Sequence, residues 1–254
     1  MASKSSPLIS VVTASKNALS GLRETAASVS GQRFKNLEHI VVDAASSDGT
    51  SEWLATHPEI RWISEPDDGI ADALNRGLRL ARGEWVLVLH ADDTLVGEDA
   101  LDRAARALNT TADVVSFDVL FSHDSGERLR KSRGLSFLTN FKTTIPHQGA
   151  FCRLSLFERI GSFDTEFAVA MDYEFFLRAY RAGASADVRN RVLAEMPNTG
   201  ISSKRDWESL QHRFSEERQA HRIHSRTWLH RLMYGIYWPL YLTYRRIRSL
   251  ASGD

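Results

Sequence analysis

The chain contains the stretch Trp85-Val86-Leu87-Val88-Leu89-His90-Ala91-Asp92-Asp93, in which five apolar residues run directly into a short acidic segment. A short, wholly apolar run is typical of a strand buried on both faces of a sheet. Mg²⁺ and Mn²⁺ prefer oxygen ligands and complete their shells with water and phosphate, so Asp92 and Asp93 are candidate metal ligands. In the alternative interpretation, one aspartate caps a helix that begins near Gly97 and the other is solvated.

Three β-loop-α units precede this stretch. Residues 8–12 are apolar and β-branched, and the polar residues 13–17 and then a helical stretch to about Ser30 follow them. The pattern repeats with a strand at 38–42, a turn at 43–50 and another helix. It repeats again with a short strand at 61–63, a loop at 65–69 and a helix whose apolar residues from Ala71 to Ala81 have helical spacing. Strands that alternate with helices predict a mostly parallel sheet covered on both faces, whose ligands bind beyond the carboxyl ends of the strands.

The turn after the second strand adds another acidic residue at the same edge of the sheet. Asp43 precedes small and polar residues, which allow a ligand to approach the backbone closely. Its carboxylate could accept a hydrogen bond from a nucleobase N–H. The alternative is a tight turn with a helix cap, but two acidic loops at one edge favour a ligand site.

Composition restricts the classes of function. The chain has 254 residues, of which 32 are basic and 32 acidic, so its net charge of zero gives no indication of a nucleic-acid partner. Cys152 is the only cysteine, which excludes an intrachain disulfide or a multi-cysteine metal site and favours the cytoplasm. Residues 1–7 lack the apolar core of a signal peptide, so export is not expected.

These motifs together resemble those of the family 2 glycosyltransferases, a large inverting group with the GT-A fold. The matching segments, in chain order, are 9–13 with Asn17, 41–50, 64–77, 83–93, Pro146-His147-Gln148-Gly149, 161–164 and Met171-Asp172-Tyr173-Glu174. The likeness extends from about Leu8 to Ser203. It implies an α/β protein with the GT-A (nucleotide-diphospho-sugar transferase) fold, in which helices flank a single Rossmann-like, mostly parallel sheet.

The resemblance implies a site for a nucleotide-diphosphate sugar donor in the first half of the chain. The donor-binding residues that it implies are Thr13, Ser15, Asn17, Asp43, Asp68, Asn75, His90 and Asp92. Among these, Thr13 and Asp43 would hold the nucleobase, whereas Asp68 and Asn75 would lie near the nucleoside or the sugar.

The resemblance also implies the catalytic groups. Asp92 would be the principal ligand of Mn²⁺ or Mg²⁺, with Asp93 beside it, and the metal would neutralise the leaving diphosphate. Asp172 matches the family's general base, which takes a proton from the acceptor hydroxyl during attack on the anomeric carbon. His147 and Gln148 belong to an acceptor-side segment.

Two positions depart from the family pattern. His90 replaces the first aspartate of the metal motif, and Met171 replaces the acidic residue that often precedes the base. His90 could bind the metal, bond to the ribose or simply pack. Because Asp92 and Asp172 are kept, we predict a metal-dependent inverting hexosyl- or deoxyhexosyltransferase of cell-envelope polysaccharide biosynthesis, acting on a glycan or lipid-linked hydroxyl. The alternative is a catalytically silent protein that binds sugar nucleotides.

The predicted organisation is a catalytic domain at 1–203, with a donor half at 1–97 and an acceptor half at 98–203, followed by a helical tail at 204–254. Residues 171–181 are predicted to form a helix in the acceptor half. Residues 198–203 indicate either a loop that closes over the diphosphate or an ordinary linker.

The tail predicts two helices, at 207–224 and from Trp228 onward. In the second, Tyr234, Tyr237, Tyr241 and Tyr244 share one helical face, arginines bracket an apolar run, and Pro239 is expected to kink or interrupt the helix. The run is shorter than the roughly 20 residues that span a bilayer. Residues 228–248 therefore predict peripheral contact with the inner face of the cytoplasmic membrane, with packing on the domain or in a homodimer as the alternatives.

Overall fold

A computed structural model of the protein describes residues 6–123, 126–197 and 206–252. The predicted loop at 198–203 and the predicted boundary between the catalytic domain and the tail lie outside the described residues.

The first four strands pair with one another in parallel, as predicted. They are β1 Ile9–Ser15, β2 Leu37–Asp43, β3 Ile60–Ser64 and β4 Trp85–Val88. β1 lies between β2 and β4, and β3 pairs with β2 on the outside. Ser15 and Asp43 are register partners at the ends of β1 and β2, so the loops after these strands start side by side.

The remaining strands make the sheet mixed. They are β5 Thr94–Leu95, β6 Val114–His123, β7 Gly126–Arg130, β8 Ala150–Arg153 and β9 Ala186–Pro197. The strand order is β3-β2-β1-β4-β8-β6-β9-β5, and β7 pairs with β6. β8 runs antiparallel to both β4 and β6, whereas β6 and β9 are parallel. The parallel description thus applies mainly to the donor half, and the acceptor half joins it through an antiparallel strand.

Helices cover both faces of this sheet. They are α1 Leu19–Ser30, α2 Thr50–Ala55, α3 Ile70–Leu80, α4 Ala100–Ala107, α5 Leu154–Ile160, α6 Met171–Arg181, α7 Trp207–His224 and α8 Trp228–Ser252, with 3-10 helices at Phe137–Asn140 and His147–Gly149. Successive side chains of a strand point to opposite faces. Accordingly, Val12 packs in the core beneath α3 and α6, whereas its neighbour Val11 packs in the core beneath α4.

One glycine lets α3 lie directly on the sheet. A Cβ atom at Gly77 would stand 2.4 Å from Cγ1 of Val12. A larger residue would push α3, and the loop that begins it, away from β1. Position 77 therefore helps to fix the helix beside the donor-side loops.

The tail helices pack on the catalytic domain. Ala220 of α7 is fully buried in the same core as α6. Glu216 accepts hydrogen bonds from the backbone N–H groups of Ala168, Val169 and Ala170, at 2.7 to 3.1 Å, and so satisfies donors at the start of α6. α7 consequently holds the N-terminus of the helix that carries the predicted base.

The second tail helix turns Tyr234, Tyr237 and Tyr241 toward the domain, whereas Tyr244, which was predicted on the same face, is exposed. Tyr234 is buried and stacks on His221 with ring centroids 3.8 Å apart, and Tyr237 packs on Phe141 at 5.1 Å. Tyr241 stacks on Tyr237. This is the packing alternative that the sequence left open. The helix is continuous past Pro239, so of the two predicted effects of this residue, a kink or an interruption, the interruption is wrong. None of the helices in the described ranges combines the length and apolarity that crossing a membrane requires.

Candidate active site

The loops after β1 and β2 are joined by hydrogen bonds. The backbone N–H of Asn17 donates to Ser46 Oγ at 2.7 Å, and Asn17 Oδ1 accepts from the Ser47 N–H at 2.9 Å. Asp48 Oδ2 accepts from the N–H of Leu19 at the start of α1, at 2.9 Å. Asn17 adopts a positive φ of 48° to make this turn. The two predicted donor loops therefore form one rigid rim.

Asp43 lies fully buried beneath this rim. Its Oδ1 accepts from Ser46 Oγ at 2.5 Å, and its Oδ2 accepts from Ser46 N–H at 3.0 Å and from Ser64 Oγ at 2.6 Å. A carboxylate offers about four acceptor positions, of which these donors use three. The group is thus held in a fixed orientation with room for about one more donor.

Thr13 and Ser15 lie on the same strand but differ in their partners. Thr13 is fully buried, and its Oγ1 lies 3.0 Å from His39 Nε2. Burial lowers the pKa of His39 to about 4, so this imidazole is neutral. The Ser15 hydroxyl, in contrast, is buried and has no hydrogen-bond partner among the described residues. A buried, unsatisfied hydroxyl at the end of β1 is the kind of group that a ligand would satisfy.

Asp68 and Asn75 flank the start of α3 with different contacts. Asp68 is exposed, next to Gly69, whose φ of 117° places the turn in a region that favours glycine. The Asn75 amide instead pairs with the backbone of Phe163, donating at 2.8 Å and accepting at 3.0 Å. Asn75 therefore links α3 to the acceptor half, a contact different from the donor contact that the resemblance implies.

The two aspartates of the metal motif occupy different environments. Asp93 is buried, and its Oδ2 accepts from the backbone N–H of His90 at 2.9 Å, which closes the turn after β4. Burial raises the pKa of Asp93 to about 6. Asp92 is exposed, with a positive φ of 87°, and packs against Gly21 of α1. A Cβ atom at Gly21 would fall 1.6 Å from Asp92 Oδ1, so this carboxylate position requires glycine.

His147 connects the metal motif to the predicted base. Its Nδ1 lies 3.3 Å from Asp172 Oδ2, and its ring meets the His90 ring edge-on, with centroids 5.0 Å apart. Burial, assisted by His147, lowers the pKa of His90 to about 3, so His90 is neutral. The Nε2 atom of His147 is buried without a partner in the described chain. The structure thus brings His90, His147 and Asp172 together. The neighbouring Gln148 is buried, donates to the Met196 sulfur at 2.9 Å and acts to lower the pKa of Asp93.

Asp172 sits at the second position of α6. Burial acts to raise its pKa, but the hydrogen bond and charge of His147 and the guanidinium of Arg130 outweigh burial and hold the pKa below its usual value. The N–H of Tyr173 also donates to Oδ1 at 2.7 Å. The carboxylate is therefore ionised at neutral pH, as an acceptor of protons must be.

Three contributors to this site were not predicted. Gly21 seats Asp92, Arg130 of β7 acts on Asp172, and Glu216 holds the start of α6. The charged residues of β7 indicate only an exposed hairpin. No local sequence pattern predicts these contacts, because each one joins elements that are distant in the chain.

The protein side chains alone do not form a complete metal cage. Within 6–123, 126–197 and 206–252, no three His, Cys, Asp or Glu residues are grouped so that they could hold an ion. Asp92 is the accessible carboxylate of the motif. An ion bound there would need water or substrate oxygens to complete its shell.

Known proteins are similar to this chain in sequence and in fold. An uncharacterised glycosyltransferase of Mycobacterium tuberculosis is 36% identical over 231 residues, which cover 87% of this chain and 86% of that protein. A PGL/p-HBAD biosynthesis glycosyltransferase of Mycobacterium bovis is 32% identical over 181 residues, covering 68% of this chain and 70% of the other.

A solved structure supports the fold assignment. The mannosyltransferase PcManGT from Pyrobaculum calidifontis, in complex with GDP-Man and Mn²⁺, superposes with a TM-score of 0.64 at 24% identity, covering 88% of this chain and 66% of that chain. The likeness shows the GT-A fold that the sequence predicts. The sequence profile described as Glycosyl transferase family 2 matches residues 10–181, and the chain belongs to this family.

Proposed function

We propose that this protein is a metal-dependent inverting glycosyltransferase that moves a hexose or deoxyhexose from a nucleotide-diphosphate sugar to a hydroxyl group. The acceptor is a glycan or a lipid-linked glycan of cell-envelope biosynthesis, in keeping with the mycobacterial relative named for PGL/p-HBAD biosynthesis. The observation that carries the proposal is the position of Asp172, ionised at the start of α6 and joined through His147 to the turn after β4.

Asp172 serves as the general base. The acceptor hydroxyl gives its proton to a carboxylate oxygen of Asp172, which has lone pairs beyond those used by His147 and Tyr173, while its own oxygen attacks the anomeric carbon. The new C–O bond forms as the bond to the diphosphate breaks on the opposite face, so the configuration inverts and the nucleoside diphosphate departs. His147 and Tyr173 hold the carboxylate in one orientation during this transfer.

The donor lies along the rim that the loops after β1 and β2 form. Asp43 retains one acceptor position for a nucleobase N–H, and Ser15 offers an unsatisfied hydroxyl. Asp68 stands exposed at the start of α3, where it can reach the ribose or sugar. Asn75 supports this rim indirectly through its bonds to Phe163.

Asp92 fits a Mn²⁺ or Mg²⁺ ion that is shared with substrate phosphates. Such ions are commonly held by one or two carboxylates together with water and phosphate oxygens, which agrees with an exposed Asp92 and the lack of a preformed cage. When bound, the ion would neutralise charge on the departing diphosphate. Asp93 shapes the turn by binding the His90 N–H, and the neutral His90 packs beside His147.

Transfer assays over a panel of nucleotide sugars and acceptors, with Mn²⁺ present, test this proposal. General-base catalysis contributes about 10²–10⁴-fold, so Asp172→Asn should lower kcat by that factor and leave donor affinity within about twofold. Asp187→Asn, at a half-exposed position on β9, is the matched control and should keep full activity.

Two results would contradict the proposal. Turnover by Asp172→Asn at the native rate would remove Asp172 as the base. Donor binding by the native chain without transfer to any acceptor would instead favour a catalytically silent sugar-nucleotide-binding protein, for which the His90 replacement is the supporting feature.

A further inference from the structure

Large apolar side chains that stay exposed are concentrated on α8. Of the eleven such side chains in the described residues, seven belong to this helix. They form what we call the α8 stripe: Trp228, Leu229, Leu232, Ile236, Leu240, Tyr244 and Ile247. From Leu229 onward they recur at intervals of three, four, four, four and three residues, which places them on one helical face. A contiguous exposed apolar surface of this kind marks an interaction site.

The opposite face of α8 is anchored, so the stripe cannot turn inward. Trp238 is 5% exposed and donates its indole N–H to His221 at 2.9 Å, while Leu240, two residues later, is 67% exposed. Tyr234 also receives a hydrogen bond from Arg181 of α6 at 2.7 Å. These contacts fix which side of the helix faces outward.

A second element extends the apolar surface beside α8. Phe137, in the 3-10 helix Phe137–Asn140, is 63% exposed, and Leu138 is exposed as well. The Phe137 ring contacts Phe141 at 5.5 Å, and Phe141 in turn contacts Tyr237 of α8 at 5.1 Å. The apolar surface therefore involves two segments that are about ninety residues apart in the chain.

The charges on α8 are all of one sign. The helix contains no aspartate or glutamate, and its four arginines are Arg231 near the start and Arg245, Arg246 and Arg248 near the end. Pairing with a second copy along the stripe would bring arginines of two helices together without a carboxylate between them, which is unfavourable. Arg245 lies over the Phe214 ring on the domain side, whereas Arg231 and Arg246 are exposed. An anionic lipid surface matches both the stripe and these exposed arginines.

We propose that the α8 stripe, with Phe137 and Leu138, is a docking surface for the interface of an anionic lipid bilayer, with α8 lying in the plane of that interface. This inference goes beyond the transfer reaction and does not require it. If the proposed function also holds, α7 carries the connection from α8 to α6, so docking places Asp172 at a fixed distance from the bilayer and favours a lipid-linked acceptor.

Sedimentation of the full chain with lipid vesicles tests the proposal without any donor or acceptor, so its failure is separate from a failure of the proposed function. The native chain should bind vesicles of equimolar phosphatidylglycerol and phosphatidylcholine and bind pure phosphatidylcholine vesicles weakly. Ile236→Ser with Leu240→Ser should weaken vesicle binding by about tenfold or more, because the bilayer would no longer bury two aliphatic side chains. Both positions are exposed, so the fold should be kept.

The matched control is Leu129→Ser with Ile223→Ser, two exposed aliphatic positions outside the stripe, which should bind vesicles like the native chain. Arg231→Gln with Arg246→Gln should reduce the preference for anionic vesicles. Equal vesicle binding by the stripe variant and the control would overturn the proposal. So would a native dimer, measured by light scattering, that the stripe variant dissociates while neither binds vesicles, since a second copy would then cover the stripe.

Discussion

His221 is a buried, neutral histidine whose protonation should be costly to the fold. Trp238 Nε1 can only donate, and it points at His221 Nδ1 at 2.9 Å, so Nδ1 carries no proton. The ring proton must then lie on Nε2 and be donated to the Tyr173 hydroxyl oxygen at 2.6 Å. A second proton on Nδ1 would break the Trp238 bond. Burial, together with the nearby Arg181 charge, lowers the pKa of His221 to about 3.

The sign and size of the effect on stability follow from this pKa. Between pH 6.5 and 3 the unfolded chain binds a proton at His221 that the native chain does not, so stability falls as the pH falls. At 1.36 kcal/mol per pH unit at full protonation, and with half of the unfolded chains protonated at pH 6.5, the whole interval from pH 7.5 to 5.5 contributes about 1.4 kcal/mol. His39 and His90 add losses of the same sign, because burial also lowers their pKa values.

Urea unfolding at pH 7.5 and at pH 5.5 measures this contribution. In His221→Gln, which keeps a donor and an acceptor but cannot titrate, the loss of unfolding free energy between the two pH values should be about 1.4 kcal/mol smaller than in the native chain. His212→Gln, at an exposed position on the same helix, should keep the native pH dependence. An equal loss in His221→Gln and the native chain would refute the neutral, Nε2-protonated assignment.

Three further predictions concern the site. His147→Gln should raise the pKa of Asp172, because His147 lowers it. The acid limb of the plot of kcat/KM against pH should then move to higher pH. An unmoved limb would show that His147 does not act on Asp172. Gly21→Ala should displace Asp92, since the added Cβ would fall 1.6 Å from its Oδ1. About tenfold more Mn²⁺ should then be needed for half-maximal transfer. An unchanged Mn²⁺ requirement would count against a role for Gly21 in positioning Asp92. Asn75→Ala should cost about 1–3 kcal/mol of stability in urea while donor affinity changes less than twofold, whereas a large affinity loss at native stability would assign Asn75 to the donor.

The donor half was predictable because its signals are local. The strand, turn and helix of each β-loop-α unit can be recognised within about thirty residues. Parallel pairing of the strands then brings the loops that follow them to one edge of the sheet. The helices at 171–181 and 207–224 were predictable for the same reason, since the residues of each segment favour a helix without a distant partner.

The acceptor half was less predictable because its sheet depends on distant pairing. β8 is only four residues long and becomes recognisable as a strand when it lies between β4 and β6. β9 pairs with β6 across about seventy residues, with register shifts near Phe117 and Asp118. A strand whose register shifts loses the strict alternation that would reveal it in the sequence.

In the site, too, local motifs were predictable and contacts between distant residues were not. Asp92 and Asp172 were candidates from motifs, but the contact that couples Asp172 to the turn after β4 runs through His147, which the resemblance gave only as part of an acceptor-side segment. The resemblance placed Asp92 and Asp93 together as ligands, yet only Asp92 is exposed, because the adjacent carboxylate is used to close the turn. Adjacent residues on an irregular turn point in different directions, and sequence does not state which one meets the solvent.

The tail shows why periodicity alone could not identify the outward face. α8 carries two apolar faces, since Tyr234, Tyr237 and Tyr241 recur at helical spacing on one side and the α8 stripe, which includes Tyr244, recurs at helical spacing on the other. Both faces satisfy the same pattern, so the choice between them depends on what α8 packs against. His221 and Phe141 supply that surface. His221 accepts a hydrogen bond from the Trp238 N–H and stacks on Tyr234. Phe141 packs against Tyr237. The buried polar partners of the tyrosine face leave the α8 stripe outside, where only a lipid or protein partner can remove it from water.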